Sequence, residues 1–304
     1  MKSIKMLSEA KSRQAGNFNN YLKRQAMTRR SVASCETAAD LFLKWLEKQS
    51  IEPVQAIYTD VLAYMKYCQK KGTTQRTIQN YLCMIKHFYD HMIEQGEIEV
   101  NPVTGIKVQG IKRKTLYHIF QPHEFHALYN NFNDPTLKGK RNKIMLSLLV
   151  YQGLKTEELA ALETKDIKLK EGKIEIPGSR NGNARTLKLE SHQVLEMYEY
   201  ILQTRKEILE KPGEKTDKLF ISIEGGNQLT NYMTRLMVKL RKQNKLVVNA
   251  KQIRASVIVK WLKQYNLRQV QYLAGHRYIS STEAYRINEM EGLMEEVNKF
   301  HPLG

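Results

Sequence analysis

Three residues near the C-terminal end of the chain could together perform chemistry on a phosphodiester. Arg254, His276 and Tyr285 follow one another at intervals that place them on successive short helices. Displacement at phosphorus needs a nucleophile, donors that hold the non-bridging oxygens, and an acid for the leaving oxygen. A tyrosine hydroxyl can attack, and the planar guanidinium of arginine matches phosphate geometry. With no metal-ligand cluster nearby, the pattern predicts a covalent tyrosyl intermediate formed without a metal or other cofactor.

Each of these residues also has an ordinary structural interpretation. Tyr285 is one of 16 tyrosines, and most tyrosines of this kind are partly buried and structural. His276, which follows a glycine, could cap a helix, and Arg254 could bind phosphate in any DNA-binding protein. The order and spacing of the three residues favour the catalytic interpretation.

The charge of the chain favours a polyanionic partner. Lys and Arg number 49 against 31 Asp and Glu, a formal net charge of +18, which favours nucleic acid first and an anionic membrane surface second. No segment approaches the ~20 apolar residues of a spanning helix, and the N-terminus does not resemble a secretory signal. We therefore expect a cytoplasmic, nucleoid-associated protein that binds DNA. The scattered Cys35, Cys68 and Cys83 are expected to be reduced, buried thiols rather than a disulfide frame or zinc site.

The N-terminal third of the chain predicts a helical domain behind a basic tail. Residues 1–30 are polar and basic, as expected for a solvated tail or an arm along DNA phosphates. Apolar residues at helical spacing over 31–106 predict a bundle of about four helices. Residues 107–116 are basic and contain a glycine, so we interpret them as a linker. Polar side chains on the third helix and in the linker are candidate DNA contacts, with a solvated surface as the alternative: Arg76, Gln79, Asn80, Lys86, Lys107, Lys112, Arg113 and Lys114.

The remaining residues, 117–304, predict a mainly α domain with a small antiparallel sheet. A helix begins at Pro122, an apolar helix ends at Gly153, and a further helix begins at Thr156. Alternating residues over 167–189, with turn signals between them, predict two or three strands, and residues 219–222 predict a further edge strand. Helices follow over 192–205 and 230–243. An amphipathic segment, 290–300, packs either on its own domain or on a neighbouring protomer.

Five segments of the chain together resemble the tyrosine recombinases, including the Xer-like and phage-integrase members. They are Gly-Leu-Lys-Thr-Glu-Glu-Leu at 153–159, the β-hairpin, Lys251-x-x-Arg254, Leu-Ala-Gly-His at 273–276 and Ser-Thr-Glu-Ala-Tyr at 281–285. The resemblance implies a helical, SAM-like core-binding domain and an α+β catalytic domain that form a C-shaped clamp on DNA. It also implies double-stranded DNA with inverted-repeat half-sites, self-association from dimer to tetramer, and docking of residues 290–304 into a neighbour. A second recombinase protomer or an accessory protein is a further candidate partner.

The resemblance assigns a role to each matching residue. Tyr285 matches the nucleophile that forms a 3′-phosphotyrosine, and Arg254 matches the second arginine, which clamps the scissile phosphate. His276 matches an oxyanion ligand that aids proton transfer. Lys251 stands where the family has histidine or lysine, and Glu158 matches a supporting acidic residue.

Two positions depart from the family pattern. Lys155 replaces the first arginine, so the positive charge is kept while the bidentate fork is lost. Ser179 stands where a gapless alignment places the hairpin lysine that protonates the leaving oxygen. Arg180 and Arg185 lie nearby as electrostatic or DNA-binding candidates, although an arginine is a poor general acid.

Three functions remain open on the sequence alone. The first is a site-specific recombinase or integrase, and the second is a weakened or inactive homologue that binds DNA or assists an active one. The third is a relaxing enzyme that resembles a type IB topoisomerase and shares the tyrosine chemistry.

Overall fold

The computed structural model describes residues 17–111, 118–180, 182–210, 216–222 and 229–286. The chain divides into two compact units, Met1–Lys114 and Thr115–Gly304. This boundary falls inside the predicted linker. The linker residues 112–116 and the predicted docking segment 290–304 lie outside the described residues.

All regular elements described in the first unit are helices. Helix α1 includes residues 17–24, and it is followed by α2 (Arg29–Lys48), a 3₁₀ turn (Pro53–Gln55), α3 (Tyr58–Lys70) and α4 (Gln75–Glu94). The N-cap side chains of Thr28 and Thr74 accept hydrogen bonds from the backbone N–H of Ser31 and Thr77, which satisfies donors that a helix start leaves unpaired. The predicted helical bundle is thus confirmed.

The start of this unit differs from the predicted tail. Residues 17–24 are helical, and Phe18, Tyr21 and Leu22 are buried in the core of the unit. The Phe18 ring meets the Phe88 ring edge-on at 5.5 Å between centroids. The spacing of the three apolar residues is that of one helix face, but the surrounding basic residues obscured it. The prediction of a solvated tail is wrong for residues 17–24, and residues 1–16 lie outside the described part.

The second unit is mainly helical with one small sheet. Its elements are α5 (Pro122–Asn130), α6 (Leu137–Gln152), α7 (Thr156–Ala161), β1 (Ile167–Lys168), β2 (Lys173–Ile176), β3 (Arg185–Lys188), α8 (Ser191–Glu199), a π turn (Tyr200–Thr204), α9 (Arg205–Glu210), α10 (Leu229–Gln243), α11 (Ala250–Gln264), α12 (Leu267–Ala274) and α13, described over 280–286. Helices α6 and α11 lie in the middle of the core.

The sheet is antiparallel with three strands, which confirms the predicted small antiparallel sheet, and the strand order is β1-β2-β3. Ile174 pairs with Leu187 and Ile176 with Arg185, so these side chains share the face that packs on the helices. The predicted edge strand at 219–222 is wrong, because Leu219 to Ser222 form no strand in the described residues. Their carbonyls bond to side chains instead of a ladder: Tyr200 donates to Leu219 O at 2.9 Å and Arg141 donates to Ile221 O at 2.8 Å.

The cysteines partly follow the prediction. Cys35 and Cys68 are buried thiols, but Cys83 is exposed, because it faces away from the apolar side of α4. Among the described helices, none combines the length and the apolar character that crossing a membrane requires.

Candidate active site

Arg254 is held at the bottom of the site by backbone carbonyls. It lies in the first turns of α11, whose start is capped by the Asn249 side chain, an acceptor for Gln252 N–H at 3.0 Å. Its guanidinium donates to Gly153 O at 2.5 Å and to Ala274 O at 2.6 Å. Gly153 ends α6 with a φ of +56°, a conformation that favours glycine. The ends of two helices therefore fix the position of one cation.

His276 is neutral and its tautomer follows from its partners. Its Nε2 lies 3.3 Å from Nη2 of Arg254, and its Nδ1 lies 3.0 Å from the Thr282 hydroxyl. Because an arginine can only donate, Nε2 must accept, and the ring proton therefore sits on Nδ1. Burial, together with the charges of Arg254 and Lys155, lowers the pKa of His276 to about 4.

Tyr285 completes this group from α13. Thr282, which is fully buried, and Tyr285 are three residues apart and so share one face of the helix. The tyrosine ring stacks on His276 with centroids 5.7 Å apart and planes 12° apart. Burial lowers the pKa of Arg254, while Glu158 and the hydroxyl of Tyr285 oppose this shift. The structure therefore brings the phenol next to the buried guanidinium.

A buried ion pair lies behind these residues. Both carboxylate oxygens of Glu158 accept from the two terminal nitrogens of Arg185, each at 2.9 Å, and the side chains are 5% and 1% exposed. Burial raises the pKa of Glu158, but hydrogen bonds and charge from Arg185 outweigh this and lower the pKa overall. The predicted DNA-binding role of Arg185 is wrong, because a side chain this deeply buried cannot reach DNA.

Arg185 also connects the sheet to the His276 loop. Its Nε donates to Leu273 O at 2.8 Å. At Gly275, which has a φ of +64°, an added Cβ would lie 2.3 Å from the arginine Nη1, so the loop needs glycine for both reasons. Asn183 also links the sheet to this loop. Its backbone N–H donates to Gly275 O at 3.1 Å, and its side-chain amide donates to His276 O at 3.3 Å.

Lys155 brings a second cation to the site. It is the N-cap of α7, and its backbone N–H donates to Glu158 at 2.8 Å. Its Nζ lies 3.9 Å from Glu158 Oε1, with 27% of the side chain exposed. A Cβ added to Gly182 would lie 3.2 Å from this Nζ and 3.4 Å from the Ser179 hydroxyl. The ammonium therefore reaches the tip of the β-hairpin.

The other predicted site residues are more exposed. Ser179 and Arg180 lie in the exposed hairpin turn, where Ser179 pairs with Gly182 through backbone bonds of 2.8 and 3.3 Å. Lys251 is exposed in the first turn of α11, one turn before Arg254. Thus the structure brings Lys155, Glu158, Arg254, His276 and Tyr285 together and leaves the other three at the rim or in solvent.

The predicted DNA-binding residues of the first unit lie on the solvent side of α4 and beyond it. Arg76 and Asn80 are exposed and Gln79 is partly exposed. Lys86 is exposed but pairs with Asp90 at 3.0 Å. Lys107 is exposed, and Lys112, Arg113 and Lys114 lie outside the described residues.

Three residues of the site were missed or misassigned by sequence reasoning. Thr282 could have been found, since it precedes Tyr285 by one helical turn. Arg185 precedes Leu187 and Leu189 at two-residue spacing, so in a strand it shares their face, which signals an inward side chain. Asn183 has no such signal, because its partner lies 93 residues away.

Fold and geometry together define a mainly helical protein with a tyrosine placed beside cations that suit a phosphate. Residues 118–291 match the phage integrase family, and since this is more than half of the chain, the chain belongs to that family. Tyrosine recombinase XerC of Oceanobacillus iheyensis is 22% identical over 267 residues, which cover 86% of this chain and 87% of that protein.

Solved structures show the same fold. A λ integrase dimer bound to a COC′ core site has a TM-score of 0.66 at 14% identity, covering 90% of this chain and 76% of that one. A λ integrase tetramer bound to a Holliday junction has a TM-score of 0.64 with the same identity and coverage.

Proposed function

We propose that the protein is a site-specific DNA recombinase that cuts and rejoins double-stranded DNA through a 3′-phosphotyrosine at Tyr285. The observation that carries this proposal is the contact of the partly buried Tyr285 with the buried Arg254 and His276. Membership of the phage integrase family supports it, as does the net charge of +18.

The charges of the group suit the reaction. Lys155, Arg254 and Arg185 carry three positive charges against the one negative charge of Glu158, and His276 is neutral. A phosphodiester gains negative charge as the tyrosine oxygen attacks, and fixed cations in a site of low dielectric stabilise that gain. Three of the five N–H groups of Arg254 are used by Gly153, Ala274 and His276. The remaining two can hold the Tyr285 hydroxyl and a phosphate oxygen.

The buried contacts keep these groups in place before DNA binds. His276 is held from one side by Thr282 and from the other by Arg254, so its ring cannot turn without losing a hydrogen bond. Tyr285 stacks on that ring. Such preorganisation lowers the reorganisation that the reaction needs.

DNA binding is the second part of the proposal. The exposed polar side of α4, with Arg76, Gln79 and Asn80, has the residue types that contact phosphates and base edges. Lys107 and the neighbouring basic segment would add phosphate contacts. We further propose that the substrate has inverted-repeat half-sites, that protomers assemble on it as dimers and tetramers, and that the protein works on nucleoid DNA in the cytoplasm. DNA affinity should fall steeply with salt.

A half-site suicide substrate tests the catalytic part. Cleavage of a nicked half-site releases a short 5′ fragment, so the covalent protein–DNA product accumulates and can be counted on a denaturing gel. The expected result is an adduct that forms with the unaltered protein and disappears in Tyr285→Phe. Tyr278→Phe is the matched control, because Tyr278 is 67% exposed and lies close in sequence; it should leave the adduct unchanged.

DNA binding measured on the same half-site separates the outcomes. Binding without any adduct would contradict the enzymatic proposal and favour a DNA-binding homologue that has lost catalysis. Relaxation of supercoiled plasmid that needs no paired sites would instead indicate a topoisomerase-like activity.

A further inference from the structure

The leaving oxygen needs a proton donor, and the described residues of the site contain few candidates. When Tyr285 displaces the DNA 5′ oxygen, that oxygen becomes a poor leaving group unless it is protonated. Arg254 and Arg185 stay protonated through the reaction, because a guanidinium holds its proton too strongly. Each nitrogen of the Arg185 guanidinium also already donates a hydrogen bond, to Glu158 or to Leu273 O.

His276 does not fit this role either. Its one ring proton points at the Thr282 hydroxyl, and its Nε2 accepts from Arg254. To donate toward the phosphate, it would first have to gain a proton at Nε2 and lose the arginine contact. Burial and the neighbouring cations, which hold its pKa at about 4, oppose this at neutral pH.

Lys155 is free of the two objections that apply to these arginines and to His276, because an ammonium can release its proton and its Nζ lies at the hairpin. Its backbone is fixed at the start of α7 by the Glu158 carboxylate, and its Nζ extends to the hairpin tip beside Gly182 and Ser179. Its side chain is 27% exposed, whereas that of Arg185 is 1% exposed. Position 179 of the hairpin is a serine, so this position supplies no ammonium.

We propose that Lys155 is the general acid of the cleavage step, in addition to supplying positive charge; this inference rests on the proposed function. The Tyr285 oxygen bonds to phosphorus and releases its proton to water, and the bond between phosphorus and the 5′ oxygen breaks. The Lys155 ammonium gives its proton to that oxygen and becomes a neutral amine. In rejoining, the 5′ oxygen bonds to phosphorus and gives its proton to the Lys155 amine. The bond between phosphorus and the Tyr285 oxygen breaks, and the released phenolate takes a proton from water.

The environment of Lys155 favours proton transfer. Burial lowers the pKa of its ammonium, Glu158 opposes this, and the charges of Arg254 and Arg185 lower it again. A lysine whose pKa moves toward neutrality releases its proton more readily than an ordinary surface lysine.

A substrate with a sulfur leaving group distinguishes proton donation by Lys155 from the effect of its positive charge. Two half-sites are compared, one with the natural 5′ oxygen at the scissile phosphate and one with a 5′ bridging sulfur. A thiolate is a far better leaving group than an alkoxide, since a thiol has a pKa of about 8.5, so it needs no acid. In Lys155→Arg the positive charge is kept and the proton donor is lost.

The expected result is a difference between the two substrates. Lys155→Arg should lower the rate of adduct formation on the oxygen substrate by about 10²–10⁴-fold. On the sulfur substrate, the loss should shrink to less than about 10-fold, because only the geometry of the cation has changed. Adduct formation on sulfur also shows that the variant folds and binds DNA.

Lys165→Arg is the matched control, since Lys165 is 76% exposed and pairs with Glu163. It should change neither rate. Equal losses on both substrates in Lys155→Arg would overturn the inference and leave Lys155 as a source of charge alone. If the unaltered protein formed no adduct with either substrate, the recombinase proposal itself would fail.

Discussion

The candidate site consists of two halves that are built in different ways. The helical half is Arg254, His276 and Tyr285, which lie on or between the consecutive helices α11, α12 and α13. The hairpin half is Lys155, Glu158 and Arg185, from the start of α7 and from β3. Caps and tight turns position the helical half, through Asn249, the Gly275 turn and Thr282.

The hairpin half depends instead on contacts between distant parts of the chain. Arg185 bonds to Leu273, 88 residues away, and to Glu158, 27 residues away. One guanidinium therefore holds α7, β3 and the end of α12 together. Local structure therefore orients most of the helical half, although Arg254 also donates to Gly153 O, 101 residues away. In contrast, β3 is joined to both α7 and the end of α12 through the single side chain of Arg185.

Removing Arg185 should have the largest effect on this arrangement. In Arg185→Ala, the Glu158 carboxylate stays buried without its partner, which costs about 3–5 kcal/mol of unfolding free energy. Urea unfolding measures this cost. In a Trp45→Phe background, fluorescence comes from Trp261 alone, since the chain has two tryptophans, and therefore reports the second unit.

An exposed ion pair provides the control for that experiment. Lys168 and Glu175 lie on neighbouring strands at 3.6 Å, with side chains 38% and 53% exposed. Lys168→Ala should cost less than about 1 kcal/mol. If Arg185→Ala cost no more than this, the ion pair would not be what holds the hairpin half to the helical half.

His276, in the helical half, should make the stability of the second unit depend on pH. Its folded pKa of about 4 lies below the unfolded value of about 6.5, so between these values the unfolded chain binds a proton that the folded chain excludes. Stability is therefore full above pH ~6.5 and falls by ~1.4 kcal/mol per pH unit as the pH drops toward 4. Below the folded pKa of about 4, His276 contributes no further change of stability with pH.

The same unfolding measurement at several pH values checks this. His276→Gln should flatten the slope between pH ~6.5 and ~4, whereas His126→Gln, at an exposed position, should leave it unchanged. Glu158, whose pKa is lowered, contributes stability that is lost as the pH falls through that lowered value, in a more acidic window. An unchanged slope in His276→Gln would contradict the neutral, buried state of this histidine.

The sequence placed the residues of the helical half on and between short helices because the signals for these elements are local. Glycine at 153 and 275, the helix starts and the order of Arg254, His276 and Tyr285 all lie within short windows. Arg185 was assigned to DNA because a basic residue in a basic protein suggests a surface contact. Only its pairing with Glu158 across the fold reveals the buried role. Likewise, the apolar face of residues 17–24 gains meaning only from the core residues that it covers.

The smallest effect is expected from removing a hydrogen bond between β3 and α12 at the edge of the sheet. Thr186 N–H on the outer strand β3 donates to the Tyr272 hydroxyl at 3.1 Å. Tyr272→Phe removes this acceptor, but Tyr272 is 53% exposed and water can replace the hydroxyl. We expect a loss of about 0.5–1 kcal/mol, measured by Trp261 fluorescence in urea, while Tyr278→Phe should change nothing. A loss as large as that of Arg185→Ala would mean that the strand edge, and not the buried ion pair, fixes the hairpin half against the helical half.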